Sequence, residues 1–269
     1  MVAAANVANT YVVPSATTVS PFYDDFDEAK NFYRILFRPG HAVQARELTQ
    51  LQTILQNQVE RFGRHVFENG SPVIGGSIYI PEYGFDTVLL QREQGSLAIV
   101  ASDFKDKTLV LRGTYDVATE TYADDESVVF RVNAVTEGTD LDLPSVYGSY
   151  TTTARFEPGA VVKVQGEQQF ATLSADAFTE LSSLAFIRDS VFFYNGFFVK
   201  VPAQATVIGK YTTKPFCRVG LEFDEQIVTE NSDTTLLDPA LESTNYQAPG
   251  AARYKMDLIL SYRSCLLYT

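Results

Sequence analysis

The chain of 269 residues has no Trp, and only two residues each of Cys, His and Met. Cys217 and Cys265 are too few and too far apart for a disulfide framework or a zinc knuckle, and they fit assembly in a reducing cytoplasm. With only His41 and His65 present, no H-E-x-x-H zinc site can be written. No apolar run approaches the roughly 20 residues that cross a bilayer. Residues 1–13 lack both the basic and the apolar region of a signal peptide. A soluble chain without membrane insertion is expected. Basic residues are also in deficit, 21 against 33 acidic ones, for a net charge of −12. Phosphate backbones are held by clustered Lys and Arg, so nucleic acid is a disfavoured partner.

What the chain does have is aromatic bulk without Trp, in 19 Phe and 15 Tyr. Those residues suit a pleated, half-buried surface. Residues 1–22 hold too little apolar bulk in any period for a packed element and are expected as an extended arm. The acidic run from Tyr23 to Phe32 is expected to cap a short helical turn. Its spacing does not match an EF-hand calcium loop. Arg38-Pro39-Gly40 then breaks the chain.

Residues 41–67 predict one long helix. Leu48, Leu51, Leu55, Val59, Phe62 and Val66 recur at spacings of three and four and draw one apolar stripe. Such a stripe either packs on its own domain or bundles with symmetry mates. In the second case Leu48, Leu51, Leu55, Gln58 and Phe62 occupy an a/d register, with Gln58 as a polar layer that fixes register or oligomer number. Asn69-Gly70 is expected to end the helix through a C-cap glycine.

From residue 71 the period becomes that of strands, with runs at 73–74, 76–80, 87–90, 97–101, 108–115 and 160–164. Over 127–135, Val128, Phe130, Val132 and Ala134 alternate with Val129, Arg131 and Asn133. Residues 190–201 carry Asn195-Gly196 between two apolar runs, the signature of a type I′ hairpin. A short helix or turn is expected at 174–186, and two strands in 217–228. Residues 231–252 form a long polar loop, and a last strand covers 253–261. The expected fold is α+β: a 1–22 arm, a 23–70 helical region for oligomerisation or attachment, and a 71–215 β body built as a sandwich or barrel. Residues 216–269 add C-terminal strands.

Motifs that carry chemistry are few. Neither G-x-S-x-G nor a P-loop occurs. A Cys217 and His65 dyad is conceivable but weighs less than a structural cysteine. Glu82 with Asp86, and Asp103 with Asp106, are the carboxylate pairs to test for glycoside hydrolysis. Both sit where turn geometry and solvation already explain acids. No catalytic, cofactor-binding or metal-binding residues are assigned.

Two stretches carry a resemblance. One joins Tyr23-Asp24-Asp25-Phe26-Asp27 through Arg34-Ile35-Leu36-Phe37-Arg38-Pro39-Gly40 to Val43-Gln44-Ala45-Arg46-Glu47-Leu48-Thr49-Gln50-Leu51-Gln52. The other joins Leu236-Leu237-Asp238-Pro239-Ala240 to Asn245-Tyr246-Gln247-Ala248-Pro249-Gly250. Together they resemble a family of virion structural proteins of tailed phages, especially cyanophages, described as tail-fibre or baseplate components. The resemblance implies a virion component, assembled in the host cytoplasm, that works through protein–protein contacts and needs no cofactor. It implies a homotrimer that meets other tail, baseplate or fibre proteins as a connector. The 1–22 arm and the 231–252 loop are the expected contacts with neighbouring virion proteins. A receptor- or carbohydrate-binding fibre protein is the alternative, and a polysaccharide depolymerase comes third.

Overall fold

A computed structural model describes residues 14–139, 142–175, 179–241 and 244–264. The chain is mostly antiparallel β, and its backbone divides into two units, each drawn from several stretches of sequence. One unit gathers residues 1–76, 189–202 and 223–259; the other gathers 77–188, 203–222 and 260–269. The 190–201 hairpin groups with the N-terminal helix, a long-range pairing that no local sequence signal reports.

The second unit is built on a nine-stranded sheet that curls into a half-barrel. Its central ladder runs Thr108–Asp116, Thr121–Thr136, Ser145–Tyr150, Phe85–Leu89, Thr179–Ile187 and Gln204–Gly209, each strand antiparallel to the next. Val128, Phe130, Val132 and Ala134 are buried and Arg131 is exposed, as their alternation predicts. Phe130 and Val132 join Val88, Leu109, Val146 and Leu173 in one apolar cluster. A single curled, half-barrel sheet thus packs around its own core, where a sandwich or barrel was expected.

Residues 179–187 are a strand of this sheet and not the helix or turn expected there. The reason is tertiary. Ser182 is fully buried, donates its hydroxyl to the Phe85 carbonyl at 2.6 Å, and accepts one from Thr87 at 3.1 Å. Small serines let two strands approach closely, and that packing overrides a weak local propensity.

In the first unit the strands Ser71–Ile74, Ser190–Tyr194 and Phe197–Val201 form a three-stranded sheet. Asn195 and Gly196 have φ of 46° and 82°, the two positive angles that a type I′ turn needs. Tyr194 pairs with Phe197 directly across the turn. The C-terminal residues give one continuous strand, Cys217–Val228, paired with Arg253–Ser264, where two strands were expected in 217–228.

The helix α1 covers Ala45–Arg64, shorter at both ends than the predicted 41–67. Glu47 sets its start by accepting the Gln44 N–H at 2.9 Å, the reciprocal contact of a capping box. At the other end the helix stops before Asn69-Gly70. Gly70 has φ of 87° and gives its N–H to the Phe193 carbonyl at 2.8 Å, so this glycine starts the sheet and does not cap the helix. Residues 1–13 of the expected arm lie outside the described residues. Residues 14–22 turn back on themselves: a helical turn at Ser15–Thr18 is followed by Phe22 and Tyr23 N–H bonds to the Val19 carbonyl.

Candidate interaction surface

The most informative feature of α1 is which face it buries. Thr53, Ile54, Asn57, Glu60 and Gly63 are buried, and all but Ile54 are polar or lack a side chain. Leu48, Leu55, Val59, Phe62 and Val66 are 42–70% exposed. At about 100° per residue, Thr53, Asn57 and Glu60 cluster on the side of the helix opposite Leu48, Leu55 and Phe62. The amphipathic pattern is therefore inverted. A surface helix normally turns its apolar stripe to the core; α1 turns it outward. Of the residues in the predicted a/d register, Leu48, Leu55, Gln58 and Phe62 are exposed and Leu51 is half-buried. They share the outer face, and among the described residues nothing covers Leu48, Leu55, Gln58 and Phe62.

The polar inner face is held by specific contacts. The acidic segment ahead of the helix clasps it from the side. Asp24, itself buried, accepts the Thr53 hydroxyl and the Phe26 N–H. Asp25 receives Arg46 at 3.0 Å and Gln50 at 3.1 Å. Asp27 caps the short 3-10 turn Glu28–Lys30 through the Ala29 N–H at 3.0 Å, the helical turn that the acidic run predicted. Glu28 accepts Arg61 Nε at 3.0 Å. That bond, followed by one that Arg61 gives the Tyr33 side chain, raises the Arg61 guanidinium above its ordinary pKa. Each carboxylate of this segment has a structural partner, which accounts for the run without a calcium ion.

Beneath the helix lies the 190–201 hairpin. Gln56 donates to the Gly196 carbonyl, and the Asn69 side chain accepts the Asn195 N–H at 2.8 Å. Phe67, Phe193 and Phe198 pack mutually, tilted or edge-on, with centroids 5.3–5.9 Å apart. Glu60 is buried against the turn and ion-paired with Arg64, though neither of its oxygens has a hydrogen-bond donor among the described residues. Burying a carboxylate with one partly solvated partner is costly. The inner face is thus fixed by geometry more than by apolar burial.

A second exposed feature went unrecognised in the sequence. Residues 31–38 have no regular secondary structure beyond a turn at Asn31, and no backbone hydrogen bond is made by 32–37 among the described residues. Phe32, Tyr33, Leu36 and Phe37 are 47–75% exposed. Phe32 and Tyr33 line a small cleft with Ile54, Asn57, Gln58 and Arg61, so the start of this strip lies beside the helix. The signal was present as an apolar run ending at Pro39-Gly40, but its period matches neither helix nor strand.

The described residues of the 231–252 loop bond to one another. Asp233 caps a 3-10 turn at Thr234–Leu236, the Asp238 carbonyl accepts the Gln247 N–H while the Asp238 N–H donates to the Ala248 carbonyl, and the Gly250 N–H reaches the Leu236 carbonyl. Leu241 and Tyr246 are left exposed on it. The catalytic candidates have local places in the fold. Asp86 is an ion-pair partner of Arg155 at 2.5 Å, Asp103 lies in the 3-10 turn Ala101–Phe104, and Asp106 occupies a left-handed turn position. Cys217 falls in the second unit and His65 in the first. No metal-binding cluster of His, Cys, Asp and Glu is found among the described residues. No helix among them is long and apolar enough to cross a membrane.

These observations define a mainly antiparallel β protein with an N-terminal helix whose apolar face is turned away from its own unit. Residues 20–161 match the model of the family described as a domain of unknown function (DUF4815), and the chain belongs to that family. No curated protein and no solved structure matches the chain.

Proposed function

We propose that the chain is a structural subunit that assembles through the outer face of α1, as a baseplate or fibre-attachment connector of a phage tail. The observation that carries the assembly reading is the inverted helix, with Leu48, Leu55 and Phe62 outward and Thr53, Asn57 and Glu60 inward. Contiguous exposed apolar surface beyond a few hundred Å² marks an interaction site. The tail setting comes from the resemblance of the two motifs. A trimer about the helix, with Leu48, Leu51, Leu55, Gln58 and Phe62 facing the axis, is the arrangement proposed.

The test is the solution mass of the purified chain by light scattering, alone and with other tail proteins. A trimer that gains mass with those proteins is expected. Leu51→Asp with Leu55→Asp should give monomers or insoluble protein, and an unchanged oligomer mass would sink the helix contact.

A second reading, glycan binding by the β body, rests on one cluster. Tyr115 and Tyr122 pack at 4.9 Å, and the Arg112 guanidinium lies over the Tyr122 and Phe170 rings at 4.6 and 5.1 Å. Tyr115 is half exposed there. A glycan array on the wild type and Tyr115→Ala separates the two: loss of a specific signal in the variant favours binding, and an empty array leaves the scaffold reading alone.

A further inference from the structure

Residues 32–38 run from Asn31, at φ of 54°, to the Pro39-Gly40 turn, and between these the chain makes no turn and no bend. The run is therefore extended, and its length is that of an ordinary strand. Its sequence is Phe-Tyr-Arg-Ile-Leu-Phe-Arg, with Phe32, Tyr33, Leu36 and Phe37 exposed. Solvated loops are built from Gly, Pro, Asn, Asp and Ser, which this run lacks. A short apolar run bounded by turn residues is instead the pattern of a strand covered on both faces. Yet the backbone of 32–37 bonds to nothing among the described residues. The run has a strand's sequence and shape without a strand's neighbour.

The backbone and the charges set what such a neighbour must supply. A lipid surface cannot take the run, because unpaired peptide groups have no partner in hydrocarbon. The open edge of a β-sheet presents N–H and C=O groups at the spacing the run needs. In an extended chain Phe32, Arg34, Leu36 and Arg38 share one side, with the two arginine Cα atoms about 13 Å apart. No acidic residue lies between Glu28 and Glu47, and neither Arg34 nor Arg38 has an ion pair among the described residues. Carboxylates on the neighbouring strand, directly across from them, complete the pairing. Copies of the run do not serve one another. Paired antiparallel about Leu36, Arg34 of one copy meets Arg38 of the other, and like charges oppose the pair.

We propose that residues 32–38 are a strand-donating site: they add to the open sheet edge of a partner protein whose edge strand carries carboxylates opposite Arg34 and Arg38. Main-chain bonds give this contact its affinity, and the arginine pair sets which edge it accepts. It is additional to the helix trimer and does not depend on it. In the free chain the two arginines hold this apolar strip back from unspecific edge pairing.

The test uses two blocked peptides of about eight residues, an ordinary strand length, one alternating Val with Glu and the other Val with Lys. Backbone amide exchange of the full chain is followed by mass spectrometry with each. The Glu peptide should slow exchange across 32–38 at least about tenfold, and the Lys peptide should need at least about tenfold higher concentration for the same effect. Arg34→Glu with Arg38→Glu should reverse that preference. Ile35→Pro removes an N–H that bonds to nothing among the described residues. It should abolish protection while far-UV circular dichroism and the melting temperature stay at their wild-type values. No protection by either peptide overturns the proposal, and equal protection by both overturns the charge selection. Binding to vesicles of phosphatidylcholine and phosphatidylglycerol that Leu36→Asp abolishes, with no peptide effect, makes the strip a lipid contact instead. Amides of 32–38 already protected in a wild-type oligomer that Ile35→Pro dissociates make the occupant a second copy. Either of these last two results overturns the proposal and leaves the helix contact standing.

Discussion

Gly63, on the inner face of α1, lies against the edge of the Phe193 ring: a β-carbon added there would stand 2.6 Å from Phe193 Cζ. Phe193 is fully buried between Phe67 and Phe198, so the ring has nowhere to go. In an exposed helix, Gly→Ala adds about 1 kcal/mol of stability through propensity. Here overpacking, typically about 1–3 kcal/mol, opposes it and wins, because the clash is with a locked ring. Gly63→Ala should lower the midpoint of urea unfolding. Phe193→Leu should cost stability by itself yet recover part of the Gly63→Ala loss in the double variant. Additive losses in that cycle would mean the two residues do not touch.

The clasp on the helix has a similar weak point. Asp24 is buried and accepts both the Thr53 hydroxyl and the Phe26 N–H. Asp24→Ala removes the acceptor and strands two donors, which costs about 1–3 kcal/mol where the groups stay buried. Asp25→Ala removes partners that are already exposed to water, Arg46 and Gln50, and should cost under about 1 kcal/mol. Chemical denaturation of both variants tests the order. Equal losses would show that burial of Asp24 does not matter.

Much of this architecture was legible because its signals are local. The Asn195-Gly196 hairpin follows from two positive φ angles, and the burial of Val128, Phe130, Val132 and Ala134 follows from a period of two. The stripe of Leu48, Leu55 and Phe62 was equally visible, but its direction was not. Sequence gives the helix a moment, and only the hairpin under Gly63 and the clasp on Thr53 decide which face turns in. Ser182 and Ser183 hid a buried strand, since serines have no strand signal until a neighbouring carbonyl, that of Phe85, takes the Ser182 hydroxyl. The interleaved units depend on pairings more than 100 residues apart, such as Gln56 with Gly196, which no window along the chain contains.

In the curled sheet Lys163 is almost wholly buried and pairs with Asp124, whose side chain is 25% exposed. The ammonium, with the Gly166 N–H second, holds the Asp124 carboxyl below its usual pKa. Removing either partner is unequal. Asp124→Asn leaves a buried ammonium without its counter-charge, a loss of about 3–5 kcal/mol for a fully buried pair and less here because water reaches the aspartate. Lys163→Met fills the same volume with an apolar chain and leaves only a partly solvated carboxylate. Thermal unfolding should rank Asp124→Asn as clearly the more destabilised variant. The reverse order would mean that the lysine, and not the aspartate, is the solvated member.

Glu137 gives the second unit an acid-sensitive tie. Its carboxylate accepts the Ala101 N–H at 2.8 Å and the Ser102 N–H at 2.7 Å, anchoring the 3-10 turn Ala101–Phe104. Partial burial pushes its pKa up, but the two backbone bonds outweigh that and leave it below the usual value. The free carboxyl titrates near about 4.3. Between the folded and unfolded values the unfolded chain binds the extra proton, so the stabilisation is fully present above about pH 4.3 and is lost as pH falls through the folded value. Other carboxylates, Asp124 among them, shift the same way, so the difference between two chains isolates this one. Glu137→Gln should melt below the wild type at pH 7, and the gap should close as the pH falls below about 4. A gap that stays constant from pH 7 to pH 3 would show that the glutamate acts through its shape and not its charge.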